Sequence, residues 1–389
     1  MLLVTTGYPP EHSGSGNRVH SLYMRLKERH PELEWKVLTI RKNGKLLRNK
    51  EFDNIPIHAF QKTVQDKYYQ KIIPLVKEIV LGYVFKKRGL FKGVDLIHCA
   101  GWSWITLAVC RAAHKLKIPI IRELTSVGDG GLSKSLGGRM IRKTNEYADL
   151  LIAISPALEN MVRQSGLKND IWCRPNPVDL SRFHYPNIDQ RKEGRELIKK
   201  YMPSLSENEL VILQIGRIRP LKNQFMMCEI LACLPARYRL LIVGPSYEQN
   251  DKYLEKIKNR VSRSDLIDRV RIENTFFKNV ERLMWGADIY TFPSKNEGLG
   301  NVMLEALSTG LPVVATYLSG VTDWVIEPQK NGALCRLSIE SFKEGFLTVE
   351  SLVNKRRQIA DDAASRFDSS VVDKSYWECI CSLIENIRK

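Results

Sequence analysis

Two glutamates eight positions apart, Glu297 and Glu305, lie in a glycine-rich segment with the strongest chemical signal in this sequence. The pattern predicts a strand ending at Pro293, a glycine turn, and a helix whose first turn is 301–304. The spacing is too wide for the two glutamates to share one proton, so we expect each to contact a different chemical group of a ligand. Carboxylates accept hydrogen bonds from sugar hydroxyls, and free amides of a helix start hold phosphate or sugar oxygens. The candidate amides are those of Leu299, Gly300, Asn301 and Val302.

A second candidate is a basic turn that connects a predicted strand to a predicted helix. Gly216 ends the strand, and Arg217 and Lys222 flank the helix start. Two cations at the positive end of a helix dipole suit a diphosphate, because arginine offers a planar fork and lysine a compact charge. On spacing alone, a solvated basic turn is the alternative.

A third candidate is the glycine loop after the first predicted strand, with a helix pattern that begins near Val19. Gly14 and Gly16 would let a phosphate approach the backbone at the helix start. The loop matches neither G-x-G-x-x-G nor the P-loop pattern, so dinucleotide and P-loop interpretations do not fit. An ordinary sharp turn is the alternative for this loop.

Short apolar runs of strand length alternate with amphipathic stretches of helix length through the whole chain. Such β-α-β repeats indicate parallel sheets covered by helices. The pattern occurs twice, so we predict an α/β protein with two doubly wound, Rossmann-like domains. The predicted strands are 2–6, 35–40, 96–99, 118–122, 150–154, 211–215, 239–243, 270–272, 289–292 and 313–315.

Two prolines near residues 174–179 mark the predicted domain boundary, because proline excludes regular ladder pairing. We predict an N-terminal domain of residues 1–178, joined by a C-terminal helix near 370–389, and a C-terminal domain of residues 179–369. Ligands of open parallel sheets bind at the carboxyl ends of the strands. We therefore expect the site in a cleft between the domains.

Composition and charge narrow the class of protein. The 389 residues are 43% hydrophobic and 26% charged, as in globular proteins, and no apolar run is long enough to span a membrane. The N-terminus lacks signal-peptide features and the eight cysteines form no C-x-x-C pair, so we expect an intracellular protein with buried thiols and no metal framework. Residues 1–180 carry 29 Lys/Arg against 16 Asp/Glu. A domain this basic attracts nucleic acid, anionic lipid or a phosphorylated substrate.

Taken in order, these motifs resemble retaining glycosyltransferases of family 4, which have the GT-B fold. The resemblance covers nearly the whole chain. It is carried by the glycine loop at 14–16, the Gly-Arg-x4-Lys turn at 216–222 and the Glu-x7-Glu pair of Glu297 and Glu305. Further matches are Pro293-Ser294, Gly310-Leu-Pro-Val-Val-Ala315, Ile154-Ser-Pro-Ala-Leu158 and Pro175-Asn-Pro-Val-Asp-Leu-Ser-Arg-Phe183.

The resemblance implies a role for each motif. The C-terminal domain would bind a nucleotide-sugar, with Arg217 and Lys222 on the diphosphate, Glu305 on the ribose hydroxyls and Glu297 beside the anomeric carbon. The N-terminal domain would bind the acceptor, with the loop at Gly14 and Gly16 closing over the diphosphate. The nucleotide-sugar is then a co-substrate, and no cofactor or metal is expected. In keeping with this, the sequence has no Asp-x-Asp.

Two positions depart from the family pattern. Thr125 stands where many members have histidine, so Glu123 or Asp129 is the alternative group for orienting the acceptor hydroxyl, although 128–131 could equally be a structural loop. Pro177 stands where glycine is common, which leaves Asn176 as the expected contact there. The remaining acceptor candidates are His98, which could equally be a packed histidine, and Trp102, which could stack on a sugar or belong to the core.

The excess positive charge is concentrated in residues 41–92, with 13 Lys/Arg against 4 Asp/Glu. Within this stretch an apolar stripe at helical spacing, from Tyr69 to Tyr83, precedes the cations of 86–88. A basic amphipathic helix suits an anionic membrane surface, where a lipid-linked acceptor in bacterial surface polysaccharide or glycolipid synthesis would lie. An ordinary surface helix is the alternative. The rival functions are a basic nucleic-acid-binding protein, although no recognition motif supports it, and a nucleotide-sugar hydrolase or epimerase.

Overall fold

The computed structural model describes residues 1–10, 14–41, 50–61, 74–246 and 251–388. The chain divides into two compact units. The first comprises Met1–Pro175 and Asp373–Lys389, and the second comprises Asn176–Val372. Each unit is an α/β domain built on one sheet, which confirms the predicted fold class.

The first unit contains an eight-stranded sheet of order β3-β4-β2-β1-β5-β6-β7-β8 over its described residues. All neighbouring strands are parallel except β3 and β4, which form an antiparallel hairpin. The strands are β1 Leu2–Thr5, β2 Lys36–Arg41, β3 Lys50–Phe52, β4 Ile55–Gln61, β5 Ile97–Ala100, β6 Ile120–Leu124, β7 Leu150–Ala153 and β8 Asp170–Cys173.

Helices cover this sheet and bury apolar side chains against it. The first helix, for example, buries Val19, Leu22, Tyr23 and Leu26, which recur at the spacing of one helix face. The helices are α1 Gly14–Arg29, α2 Pro74–Lys87, α3 Trp104–Lys115, α4 Leu136–Glu146 and α5 Pro156–Gln164, with a 3-10 turn at Val127–Gly130.

The second unit contains a six-stranded parallel sheet of order β11-β10-β9-β12-β13-β14 in its described part. Its strands are β9 Leu210–Ile215, β10 Tyr238–Val243, β11 Val270–Glu273, β12 Ile289–Phe292, β13 Val313–Thr316 and β14 Gly332–Cys335. Its helices are α6 Ile188–Tyr201, α7 Gln224–Ala232, α8 Lys252–Val261, α9 Val280–Gly286, α10 Asn301–Ser308, α11 Ile339–Val349 and α12 Arg356–Phe367, with 3-10 turns at Pro220–Lys222 and Glu350–Lys355.

The final helix, α13 Ser369–Arg388, returns the chain to the first unit. The Asp373 carboxylate accepts two hydrogen bonds from Arg25 of α1, at 2.6 and 3.0 Å. The Tyr376 hydroxyl lies 3.0 Å from His98 Nδ1 in β5, and the Trp377 ring stacks on His30. These contacts make α13 part of the core of the first unit.

All ten predicted strands are present, with ends shifted by at most two residues. The hairpin β3–β4 and the strands β8 and β14 were not predicted. The first helix begins at Gly14, so the prediction of a start near Val19 was wrong.

The predicted amphipathic stripe of the first unit is described only in part. Residues 69–73 lie outside the described residues, and of the stripe's other members only Tyr83 has a described side chain. Tyr83 is 65% exposed, whereas Leu81 and Phe85 of the same helix α2 are buried. Over the described part of the chain, no helix combines the length and the apolar character needed to cross a membrane.

Candidate functional site

The strand order places a topological switch point in each sheet. In the second unit the chain passes outward from β9 to β10 and β11, then returns to β12 on the other side of β9. Ligands of open α/β sheets bind at the carboxyl ends of the strands at this point. The two segments that leave those ends are 216–222 after β9 and 293–300 after β12. Both contain predicted site residues.

A pair of glycines shapes the turn after β9. Gly216 has φ 151° and Gly244, after the neighbouring strand, has φ 152°. A Cβ on Gly244 would lie only 2.0 Å from the Gly216 carbonyl oxygen, so the two backbones touch where the strands end. The chain therefore needs glycine at 244 for this close approach. Gly244 was not among the predicted site residues, although its position at a strand end matches that of Gly216.

Lys222 and Glu297 meet at the switch point. The Lys222 ammonium donates a hydrogen bond to Glu297 Oε1, and the two side chains are 19% and 15% exposed. The Lys295 amide donates to the Leu221 carbonyl oxygen at 2.9 Å, which joins the two loops. The lysine also lies 5.3 Å from the centre of the Phe292 ring. An ammonium has three donors, so Lys222 can keep Glu297 and still bind an anion.

Helix α10 begins beside this pair, and no side chain of the described residues caps it. Its N-cap residue is Gly300, with φ 94°, and a Cβ there would lie 2.5 Å from the Phe292 ring. Glycine is thus required by both backbone and packing, and it leaves the first amides of the helix, at Asn301 and Val302, uncapped by a side chain. The preceding residue, Leu299, is buried, so only its backbone is suited to contact a ligand.

Asn176 is held against the start of the same helix. Its Nδ2 donates to Asn301 Oδ1 at 2.5 Å, and the residue is 2% exposed. Its Oδ1 has no hydrogen-bond partner among the described residues. The predicted contact residue therefore lies next to the uncapped amides.

Glu305 lies in the second turn of α10. Burial raises the pKa of this carboxyl to about 7, the Arg182 charge opposes the rise and the Glu281 charge adds to it. Arg182 is itself ion-paired with Glu281 at 2.7 Å, so its charge is already compensated. Near neutral pH the Glu305 carboxyl can therefore either accept or donate a hydrogen bond.

The predicted diphosphate-binding residue Arg217 lies in the turn at 216–222 that follows β9. Arg217 is exposed, and its carbonyl oxygen accepts from Gln224 Nε2 at 3.0 Å, which fixes its backbone. Among the residues of the second unit that were predicted to bind the donor substrate, Lys222 and Glu297 are in direct contact. Gly216 lies close to Lys222, since a Cβ on this glycine would be 3.8 Å from the lysine Cε.

The raised pKa of Glu305 leads to a stability prediction. An acid with a raised folded-state pKa adds stability below its ordinary pKa, and loses that stability as the pH rises through the folded value. Glu305→Gln should therefore change the free energy of unfolding little near pH 4.5, but raise it relative to the natural protein by roughly 3 kcal/mol above pH 7. Thermal unfolding at several pH values measures this difference. Asp323→Asn, at an exposed carboxylate of the same unit, is the control. A gain for Glu305→Gln that is equally large at low and high pH would contradict the prediction.

The glycines of the first unit differ in their surroundings. Gly14 opens α1 and is exposed, and no atom of the described, non-neighbouring residues lies within 4 Å of the position of a Cβ. Gly16 is buried, and a Cβ there would lie 2.0 Å from the Gly7 carbonyl oxygen. Gly16 is therefore needed so that the helix can pack against the turn after β1. Both glycines lie within the first helical turn and not in the loop before it.

The switch point of the first sheet lies between β1 and β5. Gly101, after β5, has φ 80°, and a Cβ on it would be 3.4 Å from Thr6 Oγ1 and 3.8 Å from Thr125 Oγ1. The three residues thus converge at the carboxyl ends of β1, β5 and β6. Thr125, the residue in place of the family's histidine, is partly exposed at this edge.

Asp129 organises the loop that follows β6. Its Oδ2 accepts from the amides of Thr125 and Ser126, at 2.8 and 2.9 Å, and Oδ1 lies 3.5 Å from Arg122. The residue is 5% exposed. These contacts correspond to the structural-loop alternative for residues 128–131 and give Asp129 a role in shaping the loop.

Glu123 is completely buried between two arginines. Its Oε1 lies 2.7 Å from Arg18 and 3.6 Å from Arg174, and its Oε2 lies 3.4 Å from His98. Burial alone would raise the pKa of this carboxyl, but the Arg18 charge, aided by His98 and Arg174, holds it far below its ordinary value. Glu123 therefore carries a charge in the core.

His98 is buried behind Glu123. Its Nδ1 lies 2.9 Å from the Tyr23 hydroxyl and 3.0 Å from that of Tyr376, and burial lowers its pKa. With 0% exposure for both side chains, His98 and Glu123 form a structural cluster without solvent access. Sequence reasoning missed Arg18 and Arg174, because no local spacing links them to Glu123.

Trp102 is partly exposed after β5. Its Nε1 donates to Thr144 Oγ1 at 3.0 Å, and its ring lies 5.6 Å from that of Trp104. The ring is therefore anchored at its polar end.

Comparison with known proteins agrees with this architecture. Solved structures with the GT-B fold align with both doubly wound units over nearly the whole chain, so the chain has the GT-B fold. Residues 14–182 match the family model described as Glycosyltransferase Family 4, and residues 199–366 match that described as Glycosyl transferases group 1. The chain belongs to glycosyltransferase family 4, which confirms the resemblance and the prediction of an enzyme.

Among its relatives, the capsular polysaccharide biosynthesis glycosyltransferase CapM of Staphylococcus aureus is 22% identical over 87% of each chain. A UDP-Gal:alpha-D-GlcNAc-diphosphoundecaprenol alpha-1,3-galactosyltransferase of Escherichia coli is 25% identical, over 82% of this chain and 69% of that protein. The crystal structure of HepE from Anabaena in complex with UDP aligns with a TM-score of 0.78 at 18% identity, covering 98% of this chain and 99% of HepE. HepE has also been crystallised with UDP-glucose.

Within the described ranges, no three His, Cys, Asp or Glu side chains are grouped so that they could hold a metal ion.

Proposed function

We propose that this protein is a retaining, metal-independent glycosyltransferase that moves a sugar from a nucleotide-sugar to a saccharide or lipid-linked acceptor. The observation that carries the proposal is the meeting of Lys222 and Glu297 at the switch point of the second sheet, beside the uncapped start of α10. A cation, a carboxylate and free amides suit a ligand that carries both phosphate and hydroxyl groups.

The second unit would bind the donor. Lys222, Arg217 and the amides at Asn301 and Val302 would hold the diphosphate, and Glu305 would bind the ribose hydroxyls. The raised pKa of Glu305 supports this role, because a partly protonated carboxyl can pair with a hydroxyl in either direction. The structural likeness to HepE, which was crystallised with UDP and UDP-glucose, also supports a nucleotide-sugar.

Catalysis would consist of stabilising a diphosphate as it leaves the anomeric carbon. Preorganised cations and helix-terminal amides supply that stabilisation electrostatically. The acceptor hydroxyl would attack from the face that the diphosphate leaves, and the departing phosphate would take its proton, which retains the anomeric configuration. Glu297 would orient and stabilise the donor sugar, since a carboxylate paired with Lys222 is a weakened nucleophile.

The first unit would bind the acceptor at the carboxyl ends of its strands. The relatives named for capsular polysaccharide and for a diphosphoundecaprenol substrate support a role in bacterial surface polysaccharide or glycolipid synthesis. The strong positive charge of residues 1–180 supports contact with an anionic membrane. We place the protein in the cytoplasm, at the inner face of the plasma membrane.

A donor screen tests the proposal. Labelled UDP-, GDP- and ADP-sugars are compared by thermal shift and by transfer of label, with and without EDTA, and the anomeric configuration of the product is read by NMR. We expect one donor to raise the melting temperature, because it binds only the folded state, and transfer to persist in EDTA with retention.

Three other outcomes of this screen would contradict the proposal or one part of it. Failure to bind any donor, together with salt-sensitive binding of DNA or RNA, would indicate the nucleic-acid-binding function. Turnover of the donor without an acceptor would indicate a hydrolase or epimerase. Loss of transfer in EDTA would refute metal independence.

A further inference from the structure

Two leucines protrude from the loop after β6, which we term the leucine loop and define as residues 131–139. Leu132 is 47% exposed and Leu136, the first residue of α4, is 51% exposed. Because β6 is parallel to β1, the loop leaves from the carboxyl edge of the first sheet, the edge at which ligands bind.

The loop is held in a fixed shape. Gly131 has φ 71°, and a Cβ on it would lie 2.8 Å from the Arg142 amide nitrogen, while a Cβ on Gly138 would lie 1.9 Å from the Ser133 carbonyl oxygen. Ser133 Oγ donates to Ser135 Oγ at 2.9 Å, and Ser135 caps α4 by accepting from the Gly138 amide at 3.2 Å. Backbone packing and capping thus keep the leucines exposed, where they add little to the core.

The charge around the leucines has one sign. From Gly130 to Asn145 the sequence contains four cations, Lys134, Arg139, Arg142 and Lys143, and no Asp or Glu other than the residues that border this range. Lys134 and Arg139 are exposed beside the two leucines. Arg142 is paired with Glu146 at 3.3 Å. An apolar tip flanked by the exposed cations Lys134 and Arg139 is complementary to an anionic bilayer, with headgroups for the cations and acyl chains for the leucines.

We infer that the leucine loop contacts the anionic lipid surface that carries the acceptor. The inference rests on the proposed function and names the part of the first unit that meets the membrane. A protein partner fits less well, because protein hot spots are enriched in tryptophan and tyrosine around a buried centre, and residues 131–139 contain no aromatic side chain. This contact would hold the carboxyl edge of the first sheet close to the lipid surface, where the sugar of a lipid-linked acceptor lies.

Vesicle flotation tests this inference on the full chain. Vesicles of phosphatidylglycerol with phosphatidylcholine are compared with vesicles of phosphatidylcholine alone. We expect the natural protein to float with the anionic vesicles only, and Leu132→Glu with Leu136→Glu to lower that partitioning about 10- to 100-fold. The matched control replaces two exposed isoleucines of the second unit, Ile188→Glu with Ile267→Glu, and adds the same charge.

Donor binding and transfer separate failure of this inference from failure of the proposed function. The leucine variant should keep the donor-induced thermal shift and transfer to a soluble acceptor without lipid, and lose transfer to an acceptor embedded in vesicles. Equal flotation of the leucine variant and the control, or flotation of the natural protein that ignores lipid charge, would overturn the inference. A natural protein that floats but shows no donor shift would overturn the proposed function and leave the membrane contact standing.

Discussion

Replacing Lys222 with alanine is expected to lower kcat/KM for sugar transfer by about 100- to 1000-fold, the usual effect of removing one preorganised charge from a leaving-group site. Lys222 is the cation that the contacts join to Glu297, so its loss also leaves that carboxylate without its partner. The side chain is 19% exposed, so the unit should remain folded. Steady-state kinetics with the identified donor measure the effect.

A phosphate series distinguishes this role from a general loss of structure. If Lys222 binds the diphosphate, the variant should lose affinity for the nucleoside diphosphate and keep most of its affinity for the monophosphate. Lys295→Ala removes an exposed lysine from the loop after β12 and serves as the control. Equal losses for both nucleotides, or a near-natural rate of transfer, would show that the donor site has been misplaced.

Replacing Glu123 with glutamine is expected to lower the free energy of unfolding of the first unit by about 3 to 5 kcal/mol, because it leaves buried arginines without a counter-charge. Arg18 and Arg174 both lie within 4 Å of this carboxylate, whose side chain has no exposed surface. Five of the seven tryptophans belong to the first unit, so urea unfolding followed by fluorescence reports mainly on this unit.

The same variant has a distinctive pH dependence. A carboxyl with a lowered folded-state pKa contributes stability above its ordinary pKa, and this contribution is lost as the pH falls. The advantage of the natural protein over Glu123→Gln should therefore be full at neutral pH and shrink on acidification below about pH 4.5. Glu146→Gln breaks an exposed pair with Arg142 and should cost at most about 1 kcal/mol. A loss no larger than this control would refute the buried-charge interpretation.

The strands were predictable because each buried strand is a short, nearly continuous apolar run. Two of the four strands that were missed lack that signal. β8 is an edge strand with partly exposed side chains, and β3 has only three residues. The turn of the β3–β4 hairpin could have been predicted from Asp53 and Asn54. Both residues adopt positive φ, as a two-residue type I′ turn requires.

The start of α1 was misplaced for a physical reason. Glycine has a low helix propensity, so the pattern predicted that the helix begins after Gly14 and Gly16. In the structure, position 16 needs glycine because the helix packs so closely against the Gly7 carbonyl oxygen that a Cβ would clash with it. Close tertiary approach outweighs local preference here.

The candidate site was also predictable only in part, because local patterns show its turns but not its long-range contacts. The turns at 216–222 and 293–300 could be predicted from glycines, charges and adjoining strands. The contact between Lys222 and Glu297 depends on β9 and β12 being neighbours, and this follows from the strand order of the sheet. The cluster of Glu123, Arg18 and Arg174 joins residues up to 156 positions apart, beyond the reach of any local pattern.

The return of α13 to the first unit sets an order of events during synthesis. Asp373, Tyr376 and Trp377 leave the ribosome after all of 176–372, so the second unit, which is continuous in sequence, can close while the first still lacks a helix. Until then, Arg25 lacks the Asp373 carboxylate and His98 lacks the Tyr376 hydroxyl. A chain that ends at residue 372 would accordingly contain the complete second unit and a first unit that lacks its last helix.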